Sequence, residues 1–154
     1  MSQILDSFER RILALLQDDA SLPNAAVAER VGLSASACWR RIDRLERDGI
    51  IRRRVALVDR RKIGLDAQVF AHIRLTAQGR ANLDEFAEAI RAFPQVLECF
   101  VLMGNYDFML RIVARDIDAY ERFFLDTLSR LPGVQEIMST VAMSEIKSVT
   151  ALPL

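Results

Sequence analysis

Directly after the pair Gly32-Leu33 comes a run crowded with arginine and small polar residues: Ser34, Ser36, Trp39, Arg40, Arg41, Asp43, Arg44 and Arg47. Arg52, Arg53 and Arg54 follow a few positions on. A guanidinium is a permanently charged planar fork of donors, suited to gripping phosphates or pairing bidentately with guanine. If 34–48 is a helix turning about 100° per residue, Cys38, Ile42 and Leu45 share one side. Ser36, Arg40, Asp43 and Arg47 then lie near the opposite side, with Trp39 and Arg44 on the flanks. The apolar side would hold the helix to its domain and the other would enter a major groove. These residues, with Ser34 and Arg41, are the candidate DNA contacts, and Arg52, Arg53 and Arg54 would hold the backbone. The competing reading is a solvated arginine-rich helix on a small bundle. Trp39 fits packing against the first helix as well as a groove contact. Cys38 reads as a small core residue.

The elements that must position this run are legible upstream. Asp6 can cap a helix, with Glu9 in capping-box position, and Leu5, Phe8, Ile12, Leu15 and Leu16 recur at helical spacing. Asp18-Asp19 and Pro23 end that helix. A second helix fits 24–31 with Asn24 as its cap, and Gly32 stops it. Ser34 caps the third, which Gly49 ends. Two short helices around a tight Gly32 turn make a helix-turn-helix core. The run 50–58 is β-branched and reads as a strand. A domain boundary is expected within 59–64, giving a head of 1–62 and a body of 63–154.

The 154 residues carry 21 Lys+Arg and 21 Asp+Glu, a formal net charge of zero. That excludes a uniformly basic nucleic-acid coat protein, and the 51% hydrophobic content excludes a disordered chain. The zero hides an asymmetry. Residues 1–62 hold 13 Lys/Arg against 9 Asp/Glu, and residues 63–154 hold 8 against 12. Within 34–62 the count is 10 against 4. A basic patch at one end points to an anionic partner there. No apolar run reaches the roughly 18 residues of a membrane helix, and the charged N-terminus does not read as a secretion signal. Cys38 and Cys99 do not make a disulfide framework. No membrane partner is expected, and a cytoplasmic location is.

From 68 onward the period changes. Val69, Ala71, Ile73 and Leu75 alternate with Gln68, Phe70, His72 and Arg74, as in a strand. A helix over 82–93, strands over 96–103 and 106–114 joined at Gly104-Asn105, a helix from Asp116 and a strand over 134–146 complete a β-α-β-β-α-β order, the ferredoxin-like arrangement. Two helices would cover one face of an antiparallel sheet. Phe70, Phe100 and Phe108 would make the other face apolar, which argues for a dimer. The expected class is α+β, a winged helix-turn-helix followed by a ferredoxin-like domain.

The runs Leu5-Asp6, Ile12-Leu13, Ala28-Glu29-Arg30-Val31-Gly32-Leu33-Ser34 and Arg40-Arg41-Ile42-Asp43-Arg44-Leu45-Glu46-Arg47-Asp48-Gly49-Ile50-Ile51 closely resemble the leucine-responsive regulator/AsnC family of bacterial transcription factors. So do Gly104-Asn105-Tyr106-Asp107-Phe108, Leu131-Pro132-Gly133-Val134 and Glu145-Ile146-Lys147, so the resemblance spans the chain. Cys38-Trp39-Arg40-Arg41 and the ending 146–153 are similar to the branch that senses cysteine.

The resemblance implies a regulator of amino-acid metabolism that binds double-stranded DNA. It implies dimers assembling to tetramers or octamers, and an amino-acid effector, cysteine or leucine-like, bound between dimers. The family's effector turn falls on Gly104, Asn105, Tyr106 and Asp107, with Ser139 and Thr140 as polar positions on the last strand. Glycine lets backbone amides approach a carboxylate, and Asp107 can pair with an ammonium group. Asn105 stands where the family often has Asp. Without the resemblance, Gly104-Asn105 reads as an ordinary hairpin turn, Asp107 as a surface strand residue and His72 as an exposed or interface residue. A stand-alone amino-acid sensor without specific DNA binding is the alternative. An enzyme is not expected. His72 is the single histidine, and there is no Ser-His-Asp pattern, Cys-x-x-Cys, His-x-x-x-His or glycine-rich phosphate loop. No catalytic residue, metal or cofactor is expected.

Overall fold

The computed structural model describes residues 5–81 and 83–154. The chain divides into two units. One comprises the residues up to Leu57 together with Lys147–Leu154, and the other is Val58–Ile146. The division thus falls a few residues before the expected 62/63 boundary, and the tail goes with the first unit.

In the first unit, α1 spans Ser7–Asp18, α2 Asn24–Val31 and α3 Ala35–Arg47. The expected capping box starts α1. The Asp6 carboxylate accepts the Glu9 amide at 2.9 Å, and the Glu9 carboxylate accepts the Asp6 amide at 3.0 Å. The cap expected at Asn24 is one residue off. Pro23 is the N-cap, with no side-chain bond, and Asn24 is already helical. Proline fits there because the first helical turn leaves its amides unpaired anyway. Gly32 ends α2 at φ +73°, a left-handed conformation that a Cβ disfavours, and Leu33 donates back to the Ala28 carbonyl at 2.9 Å. That turn aims α3. Ser34 caps it, accepting the Ala37 amide at 3.3 Å. Ile12, Val27, Val31, Cys38, Ile42 and Leu45 form the core between the helices. Full burial of each aliphatic side chain stabilises by about 1.5–3 kcal/mol.

The strand expected over 50–58 does not form within this chain. The segment is outside every helix and ladder, and Val55, Leu57 and Val58 are exposed. β-branched residues favour an extended backbone, but a strand exists only with a partner ladder.

The second unit has the order β1 (Ala67–Leu75), α4 (Ala77–Ala81), α5 (Leu83–Arg91), β2 (Val96–Val101), β3 (Phe108–Ala114), α6 (Ile117–Asp126) and β4 (Val134–Val141). The expected helix over 82–93 appears as α5, and the short α4 before it was not expected. Asn82, its expected first residue, lies outside the described residues. The sheet order is β2-β3-β1-β4, with all neighbours antiparallel, as the ferredoxin-like arrangement requires. Val69, Ala71, Ile73 and Leu75 are buried with Phe86, Ile90, Leu110, Ile112 and Tyr120.

Phe108 corrects an expectation. It is 1% exposed in this core, with its ring centroid 4.5 Å from that of Phe86, and it is not on the open face. It pairs with Ile73 across the ladder, so it shares Ile73's face. Phe70 and Phe100 do occupy the open side. Among the described residues no helix is long and apolar enough to cross a membrane.

Candidate nucleic-acid interface and effector site

Helix α3 buries Cys38, Ile42 and Leu45, the side read from the sequence. Burial pushes the Cys38 thiol above its ordinary value, so it is a core residue and a poor nucleophile. The outer side presents Ser34, Ser36 and Arg40 to solvent. Trp39 is 54% exposed and stands outside the core cluster between the helices.

The arginines fall into two groups. Among the described residues, Arg40, Arg52 and Arg53 are exposed and form no ion pair. The others have partners inside the first unit. Arg47 meets Asp43 at 2.8 Å, and Arg54 meets Glu46 at 3.1 Å. Arg41 meets Asp6 at 2.5 Å, and Arg44 pairs with Glu9. Exposed pairs such as Arg47–Asp43 are worth only about 0–1 kcal/mol and can be exchanged for a phosphate. The Arg44 partner is different, because Glu9 is 1% exposed. Glu9 reads in the sequence only as a capping residue, and its role toward α3 has no signal in periodicity.

In the second unit the hairpin between β2 and β3 is not a two-residue turn at Gly104-Asn105. The strands close at Val101 and Phe108, and Leu102 donates to the Asp107 carbonyl at 2.8 Å across a loop of 102–107. This loop brings Gly104, Asn105, Tyr106 and Asp107 together. The Asn105 carbonyl accepts from Arg74 Nε at 3.0 Å. The Tyr106 ring packs against His72, at 5.5 Å between centroids, and under the Arg74 guanidinium at 5.1 Å. Arg74 in turn meets Glu136 at 3.0 Å. His72 is thus half-buried against an aromatic ring on the open face.

Ser139 and Thr140 are not brought together. Adjacent strand residues point to opposite faces. Ser139 pairs across from Ala71 and shares a 2.5 Å hydrogen bond with the Tyr120 hydroxyl, on the helix-covered side. Thr140 pairs across from Phe70, on the open side with Tyr106. The alternation alone carries that signal. Burial also raises the Tyr120 hydroxyl above its ordinary range, so it stays protonated at neutral pH. Among the described residues no cluster of three or more His, Cys, Asp or Glu could hold a metal ion.

Comparison with known proteins matches this layout. Residues 5–52 match the winged helix-turn-helix DNA-binding family, and residues 68–152 match the Lrp/AsnC ligand binding domain family. The Glutamate uptake regulatory protein of Zymomonas mobilis is 40% identical over all of this chain and 93% of its own length. The DNA-binding transcriptional activator DecR of Escherichia coli is 36% identical over 98% of this chain and 99% of its own. A transcriptional regulator from Neisseria meningitidis, solved as an L-Met complex, is 38% identical with a TM-score of 0.92 over 97% of both chains. The chain therefore belongs to the Lrp/AsnC family of transcriptional regulators, with a helix-turn-helix head and a ligand-binding body.

Proposed function

We propose that this regulator holds duplex DNA with the outer side of α3 and the 52–54 arginines, and that a small α-amino acid bound near 102–107 modulates that binding. The observation that carries the DNA part is the unpaired state of Arg40, Arg52 and Arg53, on and just beyond a helix whose other side is buried. Cations without a competing carboxylate are available to phosphates at no cost in lost ion pairs.

For the effector, the 102–107 loop offers backbone amides beside Gly104, the Asn105 amide side chain and the Tyr106 hydroxyl. Thr140 lies on the same side of the sheet as Tyr106. The names of the relatives support an amino acid as the class: one is solved with L-Met and another is a glutamate uptake regulator. Cysteine, methionine and leucine-like amino acids are the first candidates. Phe70, Phe100 and Met138 lie on the open face and would meet the same face of a second copy in an isologous contact. Such dimers would assemble to tetramers or octamers, and effector binding would alter that assembly and the spacing of the heads.

The test has two arms. Iterative selection of duplexes by the purified protein should yield a sequence bound far more tightly than random DNA. Calorimetry against the twenty amino acids and simple thiols should give heat with at least one. Failure to enrich any sequence overturns the DNA part, and silence in every one of these titrations overturns the effector part.

A further inference from the structure

The acidic first turn of α1 faces the basic side of α3. Glu9 Oε2 accepts the Asp6 amide at 3.0 Å. Its other oxygen, Oε1, is buried with no hydrogen-bond partner and is compensated by ion pairs, with the Arg44 guanidinium and with Arg41 Nη1 at 3.8 Å. Arg41 also reaches Asp6 Oδ2 at 2.5 Å and lies over the Phe8 ring, 5.5 Å from its centroid. A carboxylate as buried as Glu9 is costly unless a cation compensates it. Arg44 therefore cannot swing out to a phosphate without stranding Glu9. Arg41 would likewise forfeit two carboxylates and an aromatic face.

We propose that Glu9, assisted by Asp6, is a positioning residue for DNA recognition: it withholds Arg41 and Arg44 from the duplex and sets the rotation of α3, so that Ser36 and Arg40 face outward. This rests on the DNA reading above. It places Arg41 and Arg44, which the sequence groups with the DNA contacts, in the service of α1. The clamp lowers the number of phosphates the head can neutralise, and so limits binding to random DNA. Specific contacts are left to the outer face.

The test is the salt dependence of binding to a random-sequence duplex by the full-length protein. Wild type is compared with Glu9→Gln, Arg44→Gln and the double variant, with thermal melting of each. Glu9→Gln keeps the shape and removes the charge, which frees Arg44. The slope of log affinity against log salt should steepen by about 0.9, so the ratio of affinities at about 50 mM and about 200 mM salt rises roughly 3-fold. Arg44→Gln alone should leave the slope unchanged while lowering the melting temperature. The double variant should return to the wild-type slope. A merely structural Glu9 would lower the melting temperature without moving the slope. An unchanged slope in Glu9→Gln overturns the proposal, as does a reduced slope in Arg44→Gln, which would mean that Arg44 already touches phosphate. If Glu9→Gln does not fold, Asp6→Asn, at a more exposed site, should steepen the slope by releasing Arg41, and an unchanged slope there overturns the proposal equally. Wild type that binds no duplex overturns the DNA reading and this one together. Wild type that binds with an unmoved variant overturns only this one.

Discussion

The carboxylate of Asp107 accepts a hydrogen bond from the backbone amide of Leu75 at 2.7 Å, tying the 102–107 loop to the end of β1. The Asp107 amide donates in turn to the Ile73 carbonyl at 2.8 Å. Asp107 thus anchors the loop that carries Gly104, Asn105 and Tyr106. Charge-assisted hydrogen bonds of this kind contribute about 1.5–3 kcal/mol. Asp107→Ala should destabilise the second unit by that amount in urea denaturation, and Asp107→Asn by less. Asn105→Ala, whose lost atoms lie beyond the backbone carbonyl that Arg74 uses, should spare stability and weaken the calorimetric response to an amino acid. Equal stability of wild type and Asp107→Ala would remove the anchor.

Gly133 makes a second testable contact. It sits at φ +80°, and a Cβ there would come within 2.8 Å of the Gly79 Cα. A Cβ on Gly79 would approach the Gly133 carbonyl oxygen just as closely. Gly64, in the same unit, has φ +79° but nothing within 4 Å of an added Cβ. Gly64→Ala should cost only the left-handed backbone term, about 1–2 kcal/mol. Gly133→Ala should cost clearly more, because two backbones must also separate. Chemical denaturation of the two variants decides it.

The exposed arginines after α3 should act through phosphates alone. Arg52→Ala with Arg53→Ala should weaken binding to selected and random duplexes alike. It should also lower the salt slope by about 2, close to 0.9 per contact. Arg40→Ala should lower affinity for the selected sequence more than for random DNA if it reaches a base edge. Fluorescence anisotropy over a salt series separates the two outcomes.

Acid should loosen α6. The Asp116 carboxylate accepts the Ala119 amide at 2.7 Å and meets Arg115 at 2.8 Å. These contacts, the backbone hydrogen bond first, hold its carboxyl below the ordinary value. The folded value lies below the unfolded one. The cap's contribution is therefore fully present above about pH 4 and disappears as pH falls through the folded value. Asp116→Asn keeps a capping oxygen and should flatten the loss of stability below about pH 4, measured by denaturant titration at a series of pH values.

Much of this molecule was legible in its sequence, because the signals are local. The Asp6–Glu9 capping box, the left-handed Gly32, the Ser34 cap and the Cys38-Ile42-Leu45 stripe each depend on residues within a turn or two of one another. Strand alternation likewise set Val69, Ala71, Ile73 and Leu75 facing inward. Tertiary structure decided what depends on a distant partner. The run over 50–58 has strand-forming residues but no ladder within this chain. Phe108 joined the core because its pairing with Ile73 fixed its face. The arginines look alike in sequence. Arg44 differs from Arg40 because the packing of α1 against α3 places a buried carboxylate beside it, and burial makes that pairing costly to break.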